Sequence, residues 1–85
     1  MTKYEEELAE ACNNFDLGKF KVFWDKWAEK KVLPPRINND DVLLVTYMKI
    51  CANNGNIDIA VRRSAQAWLL ARGYSVTIGD KNERD

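Results

Sequence analysis

The stretch VLLVTYMKICANNGNIDIA, residues 42–60, decides the fold. Its opening, VLLVTY, has the β-branched and aromatic content of a strand. The apolar run continues through MKICA to Asn53, however, which is longer than strands usually are. A helix from Val42 to Ala52 is therefore expected, opened by the helix-start signature Asn39-Asp40-Asp41. Leu43, Leu44, Val45, Tyr47, Met48, Ile50 and Cys51 leave this helix without a polar face, which predicts a central, buried position. Asn54-Gly55 marks a turn, and Asn56 is placed to cap the next helix. That helix carries a stripe of Ile57, Ala60, Val61, Ser64, Ala65, Trp68 and Leu69. It is expected to stop at Arg72, with Gly73 as the residue after its end.

Moving toward the N-terminus, CNNFDLGKF at 12–20 partly echoes ANNGNIDIA at 52–60, an offset of 40 residues. Asn13 and Asn14 fall on Asn53 and Asn54, and one inserted residue would also align Trp27 with Trp68. The echo again lies between two amphipathic stretches. Tyr4, Leu8, Ala11, Cys12 and Phe15 share one helical face. Glu5, Glu6 and Glu7 lie near the start of that helix, where carboxylates suit the dipole. Asn13 and Asn14 would end it by adopting the left-handed conformation, and Asp16 would cap the next helix. The second helix buries Leu17, Phe20, Trp24, Trp27 and Ala28, and Pro34-Pro35 follows its end. Val22, and in part Phe23, lie outside that stripe; Ile59 and Leu70 lie outside the stripe of the fourth helix.

The resulting expectation is an all-α domain over residues 1–79, made of two consecutive helical hairpins. The first spans about 3–31, a linker covers 32–39, and the second hairpin spans about 40–73. Residues 74–78 alternate weakly and suggest a short extended tail, with 80–85 mobile. Eighty-five residues suffice for one thin core, and nine aromatic side chains help to fill it. No apolar run reaches the roughly 18–20 residues of a membrane span, so no membrane association is expected. The N-terminal segment MTKYEEELAE has no apolar core of a secretory signal. Cys12 and Cys51 have no CxxC spacing and read as reduced thiols of a cytoplasmic protein.

The segment NNGNIDIA, followed by a helix ending in LLARGYSV, resembles tetratricopeptide- and pentatricopeptide-type repeats over residues 45–76. Those repeats carry a glycine before the second helix, a small residue at the helix crossing (here Ala60) and a glycine near the end (here Gly73). The resemblance implies a binding scaffold. The apparent period of 40 departs from the 34 or so of such families.

The chemistry of the chain points the same way. It contains no histidine, which removes histidine triads and histidine-zinc sites. Two cysteines alone cannot close a structural zinc site, and no Walker A or GxGxxG motif occurs. A non-enzymatic protein without cofactor or metal is expected. Charge alternates along the chain: residues 1–16 net −4, 17–36 net +4, 37–58 net −2 and 59–72 net +3. The first helix of each hairpin is thus acidic and the second basic. This suits weak attraction between the two helices of a hairpin. It also suits a partner-binding face built from Lys19, Phe23, Lys26, Lys30, Arg62 and Arg63. The expected partner is another protein or a second copy of the chain. The alternative is RNA or DNA held by the basic second and fourth helices.

Overall fold

A computed structural model of the chain describes residues 2–76. It holds four helices: α1 (Lys3–Asn13), α2 (Leu17–Glu29), α3 (Asp40–Ala52) and α4 (Ile59–Ala71). The fold is all-α, and no strand occurs among the described residues. α1 pairs with α2 and α3 with α4, while α3 also touches both helices of the first hairpin. The apolar helix without a polar side is therefore the central one, as its sequence predicts. Its Leu43, Tyr47 and Cys51 are almost wholly buried.

Local chemistry fixes the helix starts. Thr2 accepts from the Glu5 amide and the Glu5 carboxylate accepts from the Thr2 amide, a reciprocal cap for α1. Asp16 caps α2 through the amides of Gly18 and Lys19, and Asn39 caps α3 through those of Asp41 and Val42. α4 differs from expectation. Its N-cap is Asp58 rather than Asn56, and the Asp58 side chain makes no capping bond. The Asn54 side chain instead accepts from the Asn56 amide, which turns the chain early and delays the helix.

The paired asparagines end their helices by a route other than the left-handed backbone. Asn14 sits in the right-handed region, and the positive φ of 48° belongs to Phe15. Asn14 and Asn53 each donate a side-chain amide to the carbonyl four residues back, Glu10 and Lys49. By role, Asn14 therefore corresponds to Asn53, not Asn54. The two hairpin turns also touch one another: Asn13 Oδ1 accepts from the Asp58 amide at 3.3 Å.

α2 and α4 close alike. Lys31 and Gly73 both adopt positive φ, 67° and 81°. After α2, the amides of Lys31 and Val32 reach back to Ala28 and Trp27; after α4, those of Gly73 and Tyr74 reach back to Leu70 and Leu69. Both are Schellman ends. The tail runs on through Tyr74, stacked on Trp68 with ring centroids 6.4 Å apart, to Val76, which packs against the core. The expected extended tail is covered only to residue 76; its last residues, and the tail 80–85, lie outside the described residues.

The core joins the hairpins through aromatic rings and a buried thiol pair. Phe20 of α2 stacks on Tyr47 of α3 at 4.4 Å, and the Tyr47 hydroxyl donates to the Ala11 carbonyl of α1 at 2.5 Å. Cys12 and Cys51 are both free and fully buried. The Cys51 thiol is pushed well up by its hydrogen bond with Cys12 and by burial. The linker is fastened to α2: Trp24 Nε1 donates to the Pro34 carbonyl at 2.7 Å, and Arg36 pairs with Asp25 at 2.8 Å.

Three burial expectations need correction. Phe23 is only 6% exposed, because α2 is covered on two sides: Phe20 meets α3, and Phe23 meets Tyr4 of α1 at 5.4 Å. Phe15 is exposed, having left the helix for the turn. Ala60 and Ser64 are also exposed, because α4 buries only Ala65 and Leu69 and half-buries Val61 and Trp68, a narrower stripe than expected.

Candidate partner-binding surface

The six residues singled out from the sequence do not form one site. Lys19, Phe23 and Lys26 line an open groove of about 580 Å³ between α1 and α2. Glu7, Glu10, Asp16 and Val22 line it too. Phe23 belongs to its floor rather than to an exposed patch, whereas Val22 stands 69% exposed at its edge. Arg62 and Arg63 line a separate shallow hollow with Ala52, Asn53, Ile59 and Gln66. The two linings share no residue. Lys30 lies at the end of α2, its ammonium 5.7 Å from the centre of the Trp27 ring.

The groove is electrostatically self-satisfied. Lys26 pairs with Glu7 at 2.6 Å, and the other Glu7 oxygen accepts from Trp27 Nε1 at 3.0 Å. These two hydrogen bonds, Lys26 first, hold the Glu7 carboxyl below the usual glutamate range. With Glu7, Glu10 and Asp16 facing Lys19 and Lys26, the groove offers no basic surface. The attraction between an acidic first helix and a basic second one is thus realised in the first hairpin.

The second hairpin lacks it. Among the described residues the ion pairs are Lys21–Asp40, Lys26–Glu7 and Arg36–Asp25. All three draw their cation from residues 17–36, and none joins α3 to α4. Gln66 bridges those helices instead, donating to the Ala52 carbonyl at 3.1 Å. Among the described residues neither half-buried Arg62 nor exposed Arg63 has an ion-pair partner, and Arg72 lies over Trp68, its guanidinium 4.1 Å from the ring centre.

The outer side of α4 carries the remaining feature. Ile59 is 47% and Leu70 64% exposed, so neither another helix nor the described part of the tail covers these residues off the buried stripe. Ala65 and Leu69, on the other side, are completely buried. Among the described residues no three histidine, cysteine, aspartate or glutamate side chains cluster as a metal site. No helix there is long and apolar enough to cross a membrane. Comparison with known proteins gives no match among family models, curated proteins or solved structures.

Proposed function

We propose that this chain is a small non-catalytic interaction module that presents a helical face to another protein. The observation that carries the reading is the outward side of α4. That helix packs chiefly on α3, and its outer ridge combines exposed Ile59 and Leu70 with exposed Arg63, while half-buried Arg62 flanks the ridge; among the described residues no carboxylate pairs with either arginine. Arginine is enriched at protein interfaces, and exposed aliphatic side chains beside it supply apolar area for a partner to bury. The hairpin-repeat resemblance of residues 45–76 agrees with a scaffold role. The two free buried thiols suit a reducing compartment such as the cytoplasm.

A pull-down from the native host, run with and without nuclease and read by mass spectrometry, tests the reading. A protein partner that survives nuclease and is lost with Leu70→Asp, with helicity unchanged by circular dichroism, is the expected outcome. Loss of all captured material on nuclease treatment would transfer the function to nucleic-acid binding, the reading that the uncompensated Arg62 and Arg63 would otherwise serve.

A further inference from the structure

We infer that the partner segment which α4 receives is an acidic amphipathic helix lying along its outer face; the inference rests on the interaction reading above. At 100° per residue, Ala67 falls opposite Ala65 and Leu69, and Arg63, Leu70 and Ile59 form a ridge beside it, in that order toward Leu69. Ile59 and Leu70 are three turns apart, about 16 Å along the axis. Between and beside them stand Ala60, Ser64, Ala67 and Ala71, all exposed and all small. A second backbone can therefore come close along the middle of the helix while the two large side chains grip its ends.

Charge selects the occupant. From Ile59 to Val76 the chain holds no aspartate or glutamate, while Arg62, Arg63 and Arg72 give it a net charge of +3. Arg63 stands on the outer ridge, and half-buried Arg62 lies about 100° round toward Leu69; both line the hollow with Asn53 and Gln66. Guanidinium groups grip carboxylates through two parallel hydrogen bonds, so carboxylates one turn apart on a partner helix match this pair. Two apolar anchors about three turns apart on that helix would meet Ile59 and Leu70, as in other helix-on-helix recognition.

The same features disfavour the other occupants. A nucleic acid has no apolar counterpart for Leu70 and Ile59, and this ridge bears no aromatic ring on which a base could stack. Two copies of α4 set face to face would oppose arginine to arginine.

The test is selection of a randomised 16-residue peptide library on the immobilised full chain, with Arg62→Glu/Arg63→Glu as the counter-target. Enriched peptides should be acidic and amphipathic. They should shift the amide resonances of Ile59, Arg63 and Leu70 and lose about tenfold in affinity or more for the double variant. Lys3→Glu, a like change on exposed α1, should leave affinity unaltered. If Arg62→Glu/Arg63→Glu loses helicity, Arg63→Gln alone should still weaken binding severalfold. Enriched peptides that are neutral or basic, or that ignore the arginine variants, overturn this inference and leave the interaction reading standing. An empty selection overturns both. Tighter binding of a 20-nucleotide oligomer than of any acidic peptide, or dimerisation through α4 in sedimentation, also overturns it.

Discussion

The two hairpins share a plan and differ in material. α2 and α4 each have thirteen residues, an aspartate at the N-cap and a Schellman end. The first hairpin is filled with aromatic rings: Tyr4 against Phe23 and Trp27, and Phe20 against Phe23, Trp24 and Tyr47. The second is filled with Leu43, Ala65, Leu69, Cys51 and Ala52, and its helices approach each other more closely. In the first hairpin the aromatic bulk is turned inward and Lys26 of α2 is paired with Glu7 of α1. The second closes on small residues, so that α4 reaches the surface with apolar and cationic groups unsatisfied.

If the aromatic hairpin anchors the fold, truncating it should do the most harm. Phe20→Ala removes a fully buried ring that touches three others, and it should cost about 3–5 kcal/mol in urea unfolding. Leu69→Ala should cost less, about 2–3 kcal/mol, since neighbouring small residues let the site relax. A larger loss from Leu69→Ala would reverse the comparison and make α3–α4 the anchor. Because natural stabilities are only about 5–15 kcal/mol, Phe20→Ala is best measured at low temperature.

The next effect is in the backbone and should have opposite signs in the two hairpins. Lys31 and Gly73 occupy the same left-handed position after α2 and α4. A Cβ on Gly73 would meet nothing within 4 Å, so Gly73→Ala tests conformation alone. It should destabilise by about 1 kcal/mol. Lys31→Gly should stabilise by somewhat less, because glycine also loosens the unfolded chain. Thermal melting of both variants checks the pair. Equal signs would mean that the two ends are not equivalent.

Much of this plan was legible in the sequence, because periodicity and capping are local. Four helices, the central place of α3, the caps at Asp16 and Asn39 and the end at Gly73 all follow from residues a few positions apart. Thr2 and Glu5 carry a T-x-x-E signature that would have located the cap of α1. What sequence could not supply was tertiary. Phe23 is buried because two different helices cover α2, which no single stripe reveals. The offset of 40 fails for a geometric reason: the first turn, 14–16, is three residues shorter than the second, 53–58. Asn14 and Cys12 thus match Asn53 and Cys51 at an offset of 39, while Asp16 and Lys31 match Asp58 and Gly73 at 42. Trp27 consequently corresponds to Leu69 rather than Trp68. The basic face dissolved similarly, because Lys26 is held by a glutamate nineteen residues earlier.

Protonation offers a milder test of the first hairpin. Glu7 is held below its ordinary value of 4.5 by Lys26 and Trp27. A depressed carboxyl adds stability above the unfolded-state value and loses it as pH falls through the folded one. The wild-type protein should therefore lose stability more steeply below pH 4.5 than Glu7→Gln does, and the two should run parallel above it. Parallel curves throughout the acid range would show that the Glu7–Lys26 pair contributes nothing to folding.

The smallest expected effect sharpens the comparison most. Arg62→Ala and Arg63→Ala should each change unfolding free energy by less than about 0.5 kcal/mol, because among the described residues neither guanidinium pairs with a carboxylate and neither side chain belongs to the core. Lys26→Ala, by contrast, should weaken the acid-range behaviour of Glu7, leaving the Trp27 indole as the remaining hydrogen-bond donor to that carboxylate. A charge that can be deleted without loss to the fold is not held there by folding. If Arg62 or Arg63 proves to stabilise the chain as a core contact would, α4 has no residues to spare for a partner and the surface assignment falls. Near-silence in unfolding, together with loss of the nuclease-resistant partner, would separate the two hairpins by role: one keeps the domain folded, and the other meets what it binds.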